Sequence, residues 1–591
     1  MSQEPRTAGL GQGLPPTDIH AVSVSLPKWQ DTVGWATKDP QVLAHLTTGY
    51  PRFYIHPLVQ RLATLLLQLL LQDEAAASSI EHVYGQESRA TATAVLFPHA
   101  TLGVCCRDYL RRVVSDTSIK DAVLAFQVNF AGEVQNIHSG VVTSTADAFQ
   151  RLCVVVFPHH LFEEAKAFWQ HTGFGMTSRH ALYWLEQAPC LPGAGTSSHP
   201  DTKLPLGDAK QAVTNIRDQI SGLLSSETRK MTPEDVFLYP SGMSAIAHSA
   251  SALQESYRCS SGAFRIAVFG FLYVDTFKVL SKVKQIECVL YGHASPADMD
   301  QLERNLQDGM EIHALYTEFP GNPLLGSLDL RRLYKLSQTF NFHVVVDDTV
   351  GTAVNLDLVP FCDMICTSLT KMFSGACNVM GGSLTICPGS KSKSVLHDTL
   401  TRQYTDTYFP LDLLVMAQNS KDFVERVHVA NQNAEAIAAK LRNHPVVDTV
   451  FYSKGSATQH LYDGYRRRRR QTGKTGEDAQ AQAGYGYLLS IRFVKDSAAI
   501  AFHDALDVAK GPSLGTNFTL CCPYTLLAHA SELEWAAKFG VVEHLVRLSV
   551  GIEKRDELEE AVDRALEAAA KAAGAEMVAL GEESKPGLAV A

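Results

Sequence analysis

Apolar residues recur at helical spacing from about residue 41 to 73, and the densest run, 64–71, is interrupted by Gln68 and ended by Gln72 and Asp73. That pattern predicts a buried helix well short of a membrane span. Residues 1–18 show no apolar period, so the first order is expected near 20–29 and the leading arm is expected to be loose. Between about 91 and 158 the runs shorten to predicted strands at 94–97 and 153–157, giving a mixed N-terminal region. A Gly/Pro/Ser-rich stretch at 188–205 predicts a linker. Helix and strand patterns then alternate from 206 to 388, with a helix near 208–225 and strands at 266–269, 312–315, 343–346 and 364–366. Strands spaced by helices predict an α/β domain, a mostly parallel sheet with helices on both faces. Beyond 388 come long helical patterns, a strand at 487–493 and a closing strand and helix from 546, a smaller C-terminal α+β domain. The chain is thus read as an N-terminal arm and extension of mixed α/β character (1–205), a site-bearing domain (206–390), the α+β domain (391–570) and a disordered tail (571–591).

Composition narrows the function classes. The 591 residues carry a net charge of −10, which argues against nucleic acid as a partner. Twelve Cys, some adjacent as in Cys105-Cys106 and Cys521-Cys522, read as reduced thiols rather than a disulfide framework. With no apolar leader and no long apolar run, a cytoplasmic protein is expected, without membrane contact. Five consecutive arginines, 466–470, sit in a polar stretch to residue 483; a solvated loop is the expected reading, a targeting patch the alternative.

The chemistry concentrates after three predicted strands. Thr367-Ser-Leu-Thr-Lys-Met-Phe-Ser-Gly375 places Lys371 just past a strand end, where α/β sheets build sites. An amine there can form a Schiff base with an aldehyde cofactor, while Ser368 and Thr370 hydrogen-bond a phosphate. Upstream, Val344-Val-Val-Asp-Asp-Thr349 ends an apolar strand in two carboxylates. Asp347 is the natural partner for a protonated pyridine nitrogen, and Thr349 closes the segment beside it. In Tyr239-Pro-Ser-Gly-Met-Ser-Ala-Ile246 a strand runs into a helix, so Ser241, Gly242 and Met243 form an N-terminus suited to phosphate. No metal site is read in the chain.

Together these segments resemble the Cys/Met-metabolism family of pyridoxal-phosphate enzymes. The resemblance implies the fold type I transferase architecture, pyridoxal 5'-phosphate as cofactor, small amino-acid substrates, and a homodimer or homotetramer with active sites at the subunit interface. It makes 206–390 the PLP-binding domain and gives further roles: Tyr273, in Phe271-Leu-Tyr-Val-Asp-Thr-Phe277, to stack on the cofactor and assist catalysis; Asn322, in Glu318-Phe-Pro-Gly-Asn-Pro323, to approach the cofactor's phenolic oxygen. Arg547 and Ser513 would hold the substrate carboxylate. Tyr50 and Arg52, in Thr48-Gly-Tyr-Pro-Arg-Phe53, would reach across a dimer interface to the neighbour's phosphate. The opening block resembles the family's fungal cystathionine γ-synthase branch, which implies γ-replacement: O-acylhomoserine, succinyl or acetyl, plus cysteine to cystathionine. A sulfhydrylase using sulfide, a cystathionine lyase, a γ-substitution with a carbon nucleophile and a non-catalytic scaffold are the competing readings. Residues 75–200 carry no interpretable motif and read as a structural or oligomer-building insertion.

Overall fold

The computed structural model describes residues 5–583 apart from 52, 89–90, 138–147, 193–202, 228, 258–262 and 471–479. Its large sheet comprises, among the described residues, β1 (Val236–Tyr239), β2 (Arg265–Phe269), β3 (Glu287–Tyr291), β4 (Ala314–Glu318), β5 (His343–Asp347), β6 (Met364–Ser368) and β7 (Gly382–Ile386), in the order β1-β7-β6-β5-β4-β2-β3. β7 runs against both its neighbours, and the other six strands share one direction. Val344, Val345 and Val346 are all buried, as a central parallel strand covered on both faces requires. The strand expected at 312–315 runs two residues later because it ends in Thr317 and Glu318, polar residues that are nonetheless buried. β3, half exposed at the edge, and β7, opening on Gly and Ser, carry no long apolar run to announce them.

The C-terminal sheet orders its strands Val447–Phe451, Leu488–Phe493, Val546–Ser549, Leu520–Pro523 and Ala509–Lys510, with helices Phe423–Arg442, Asp496–Ala505 and Arg555–Glu583 beside it. The last helix continues through 571–583, where a disordered tail was expected; its Ala/Glu-rich sequence has high helix propensity.

The uninterpreted N-terminal region is an antiparallel four-stranded sheet, Ala92–Phe97, Arg151–Pro158, Leu124–Asn129 and Val134–Asn136 in that spatial order. Its side chains alternate between two cores. Val95, Phe97, Val155 and Phe157 face the large-sheet domain, sharing a core with Met243, Ile246 and Leu280, whereas Leu96, Val154 and Val156 face Leu62, Leu66, Leu70 and Trp184. The helix Pro57–Gln72 supplies those leucines at spacings of four residues.

Three expectations are corrected. The predicted helical stretch 41–73 is broken into Pro40–Ala44 and Pro57–Gln72, because Gly49, Pro51 and Pro57 favour a turn between them. The leading arm is ordered from Pro5 onward: Gly13–Leu14 pairs with Ser23–Val24, and Ala8 and Leu14 pack on Ala509 and Leu520. The arginine run is not a free loop. Arg466 donates to Asp463 Oδ1 (2.9 Å) and lies 4.0 Å over the Tyr485 ring, Arg467 donates to Leu356 O (3.0 Å) and Ser225 O (3.1 Å), and Arg468–Arg470 pairs with Gln480–Gln482. Most of the expected linker, 193–202, and the segment 471–479 lie outside the described residues.

Candidate active site

Because six strands of the large sheet share a direction, their C-terminal ends meet along one edge. There β1 delivers Ser241, β2 Tyr273, β4 Glu318, β5 Asp347 and β6 Lys371. Ser241 caps the helix Gly242–Ser256: its hydroxyl accepts from Ser244 N (3.1 Å) and donates to Gly173 O (3.2 Å). A Cβ on Gly242 would meet Ser368 Cβ at 2.8 Å, so only glycine brings this helix start so close to the end of β6. The first N–H groups of such a helix have no intrahelical acceptor, and Gly242 and Met243 line the cleft.

Asp347 is half-buried at the end of β5, with Oδ1 accepting from Thr349 N (2.9 Å), and Thr349 Oγ1 in turn accepts from Ser368 N (2.8 Å), tying β5 to β6. Burial pushes the Asp347 carboxyl above its ordinary range. Burial and then the neighbouring Asp347 push Glu318 up to about 8, and burial pushes Asp348 up to about 7. Glu318 bridges two segments, accepting from Tyr273 N (2.5 Å) and Asn322 N (3.1 Å). Thr370 exchanges hydrogen bonds with the backbone of Gly381, at 3.1 and 3.3 Å.

Lys371 is buried, and its Nζ donates to Tyr50 Oη (2.8 Å) and Ser513 Oγ (3.2 Å). A Cβ on Gly515 would lie 2.6 Å from Met372 N, so the Ser513–Gly515 turn approaches the lysine only because that position is glycine, at φ +65°. Ser513 itself holds φ +97°, strained for a residue with a side chain. Arg547 is gripped on three sides: it donates to Asn322 Oδ1 (3.2 Å) and Ser513 O (2.7 Å), and its guanidinium carbon sits 4.7 Å over the Tyr524 ring.

Every anticipated site residue that the structure describes lines this one cleft: Tyr50, Ser241, Gly242, Met243, Tyr273, Asn322, Asp347, Thr349, Ser368, Thr370, Lys371, Ser513 and Arg547. Arg52 lies outside the described residues. Tyr50 lines the cleft with its hydroxyl accepting from Lys371 Nζ (2.8 Å). Glu318, Phe53 and Tyr524 also line the cleft and had been given no role. Glu318 and Phe53 belong to motifs already singled out, but Tyr524 follows Cys521-Cys522-Pro523 with no local signal.

The family model for Cys/Met metabolism PLP-dependent enzymes matches residues 224–567. The chain belongs to this family. It is a PLP-dependent transferase by that membership, and its cofactor is pyridoxal 5'-phosphate. A second model, the fungal trans-sulfuration enzyme N-terminal domain, matches residues 59–177 and accounts for the four-stranded sheet. Cystathionine gamma-synthase of Neurospora crassa is 35% identical over 95% of this chain and 98% of the relative. Cystathionine gamma-synthase-like protein ankD of Aspergillus thermomutatus is 37% identical over 95% and 94%. Among solved structures, cystathionine gamma synthase from Xanthomonas oryzae pv. oryzae in complex with cystathionine aligns with a TM-score of 0.51 at 20% identity, covering 64% of this chain and 91% of that one, a likeness of fold. The residues of this PLP-family cleft fit the cofactor. A half-buried carboxylate with a raised pKa is stabilised by a cation, which a protonated ring nitrogen supplies, and the glycine-dependent helix start is a cradle for phosphate. Among the described residues no cluster of three His, Cys, Asp or Glu could hold a metal, and no helix is long and apolar enough to cross a membrane.

Proposed function

We propose that this chain is a γ-replacement enzyme of the cystathionine γ-synthase type, converting an O-acylhomoserine and L-cysteine to L-cystathionine and the free carboxylate. The observation that carries this reading is the convergence of Lys371, Asp347 and Arg547 in one cleft, in a chain similar over nearly its whole length to the Neurospora synthase. Ser241, Gly242, Met243, Ser368 and Thr370 would hold the cofactor phosphate, Asp347 the ring nitrogen, Tyr273 the ring face, Asn322 the phenolic oxygen and Lys371 the aldehyde carbon. Pyridoxal phosphate, when bound, supplies the electron sink for a carbanion at the substrate Cα.

The protein's own part is positioning and proton transfer. Arg547, its guanidinium oriented by Asn322 and Ser513, forks onto the substrate carboxylate. Lys371 is then the base at Cα, and because a leaving group on Cγ lies too far for a single elimination, the same amine also moves a proton from Cβ before the acyl group departs and the thiol adds at Cγ. Among the described residues lining the cleft the lysines and arginines are Lys371 and Arg547, both assigned, while Phe53, Leu527 and Ala528 give an apolar wall. The test is product analysis by mass spectrometry with acetyl- and succinyl-homoserine, with and without cysteine. Cysteine-dependent cystathionine from either ester supports the reading, and the faster ester identifies the acyl group; 2-oxobutyrate formed regardless of cysteine refutes the nucleophile. The 37% identity to a protein named only synthase-like favours a second reading, the same γ-replacement with another nucleophile.

A further inference from the structure

The backbone that follows Asp347 is fastened by the C-terminal domain. Thr349 engages all three of its polar groups: its N–H donates to Asp347 Oδ1 (2.9 Å), its hydroxyl accepts from Ser368 N (2.8 Å), and its carbonyl accepts from Tyr487 Oη (3.1 Å). Tyr487 is fully buried directly before the strand Leu488–Phe493, whose Ser490 lies opposite Arg547, and its own carbonyl accepts from Val550 N (2.8 Å). Burial pushes the phenol well above its ordinary pKa, against the charge of Arg547, so the oxygen keeps the proton that it donates. One residue earlier, Gly486 N donates to Asn431 Oδ1 (3.0 Å), and Asn431 Nδ2 donates to Asn355 Oδ1 (2.8 Å). The arginine run adds a further tie, Arg467 N donating to Asn355 O (2.8 Å) and Arg467 Nε to Leu356 O (3.0 Å). Residues 349–357 are therefore held at both ends from the C-terminal domain, and at the end next to the acid they are held by Tyr487.

Resting on the assignment of Asp347 to the ring nitrogen in the functional reading above, we propose that Tyr487 is a positioning residue for that carboxylate: through the Thr349 backbone it holds Asp347 in the orientation that meets the protonated pyridine nitrogen. The peptide planes on the two sides of the Thr349 Cα are pinned, one by Asp347 and the other by Tyr487, and the Thr349 hydroxyl is tied to β6. The N–H that occupies Asp347 Oδ1 therefore has one direction, and the second carboxylate oxygen is left for the ring. A carboxylate whose supporting hydrogen bonds are loosened keeps its charge but loses its aim, and its hold on a cation weakens with it. Because Tyr487 and Arg547 are carried by paired strands, the sheet that aims the guanidinium at the substrate carboxylate also aims the acid at the ring.

The experiment measures the release of pyridoxal phosphate, and of a carbocyclic analogue with C–H in place of the ring nitrogen, from the full-length wild type and Tyr487→Phe. Release is followed by the loss of the bound chromophore's absorbance on dialysis. Tyr487→Phe should release pyridoxal phosphate about fivefold faster, the size of effect expected from one hydrogen bond, and release the analogue at the wild-type rate. An equal or larger factor for the analogue would make the phenol a general structural support and overturn the proposal, as would unchanged release of pyridoxal phosphate. Asp347→Asn separates that failure from failure of the underlying assignment. If it leaves release unchanged, Asp347 does not hold the ring nitrogen and the proposal falls with the assignment; if it speeds release while Tyr487→Phe does not, the role of Tyr487 alone is refuted. Hydrogen–deuterium exchange of the cofactor-free proteins is an independent readout: peptides covering 349–357 should exchange faster in Tyr487→Phe, with those of β2 unchanged. An unchanged rate over 349–357 refutes the anchor. Neither readout needs substrate, so both still decide Tyr487 if no acylhomoserine is turned over and the γ-replacement reading fails.

Discussion

The seven-stranded sheet and the four-stranded N-terminal sheet are both built on buried apolar strands, yet they differ at the strand ends. In the large sheet, parallel strands joined by crossovers bring Glu318, Asp347 and Lys371 to one edge. In the N-terminal sheet, neighbours run antiparallel, so their ends alternate between the two edges and, among the described residues, those ends are not gathered at one edge. What the N-terminal region gives the site is support, through the helix Phe162–Thr172 that follows its strands. Behind the cleft, His171 Nδ1 lies 2.8 Å from Asp275 Oδ1 and Gln170 donates to the same oxygen at 3.0 Å, holding the short helix that begins after Tyr273; the Gly173 carbonyl takes the Ser241 hydroxyl. One region carries the chemistry and the other fixes its frame.

That division breaks if a change in one region has the consequence assigned to the other. The largest expected effect is at Lys371. Replacing it by Ala removes the base, and turnover should fall by about 10²–10⁴-fold or more with loss of the bound cofactor's visible absorbance, while the melting temperature moves little. Full turnover in that variant would remove the lysine from the site. Next is Trp184→Ala in the helix Ser178–Gln187 that packs on the N-terminal sheet, where the ring is fully buried and its Nε1 donates to Phe149 O (3.0 Å). It should destabilise the protein by about 3–5 kcal/mol in urea unfolding, with the folded fraction keeping its turnover number. A selective fall in turnover at unchanged stability would show that the N-terminal sheet takes part in the chemistry. Smaller again is Arg547→Ala, which should raise KM for the acylhomoserine by about 10- to 100-fold, the loss of hydrogen bonds to a charged group. A rise confined to cysteine would mean that Arg547 holds the nucleophile.

The same contrast explains what could be read before any coordinates. Asp347 stands out because a charged residue directly after an apolar run has few structural explanations, and Lys371 because it stands just past a strand end between Thr370 and the Met-Phe-Ser-Gly turn. The helix start at Ser241–Met243 is legible for the same reason, a strand that passes through glycine into a helix. Tyr524 is invisible by comparison: its place beneath Arg547 depends on a helix, Tyr524–His529, packing against the arm residue Leu26. Order in the arm was likewise hidden, because Gly13–Leu14 and Ser23–Val24 are two-residue strands stabilised by distant partners such as Ala509 and Leu520. The N-terminal sheet shows its apolar alternation, but alternation alone does not reveal that one face serves the helix carrying Met243.

The smallest effect lies where the chemistry and its frame meet, at Glu318, which is both buried in the site and the acceptor joining Tyr273 to Asn322. Its pKa is raised from 4.5 to about 8 by burial and by the charge of Asp347, so between these values the native chain holds a proton that the unfolded chain has lost. A native state that binds more protons loses stability as pH rises. The stability tied to this protonation is therefore complete below about pH 4.5 and is lost as pH climbs through about 8. Glu318→Gln removes the titration and keeps one carbonyl oxygen to accept from the Tyr273 or Asn322 amide. Thermal unfolding of the cofactor-free proteins should show the wild-type melting temperature falling more steeply than the variant's from about pH 5 to 8. Parallel curves would place a lasting negative charge on Glu318, and the burial that pairs it with Asp347 would then have to be offset by a cation in the cleft, which Lys371 and Arg547 line.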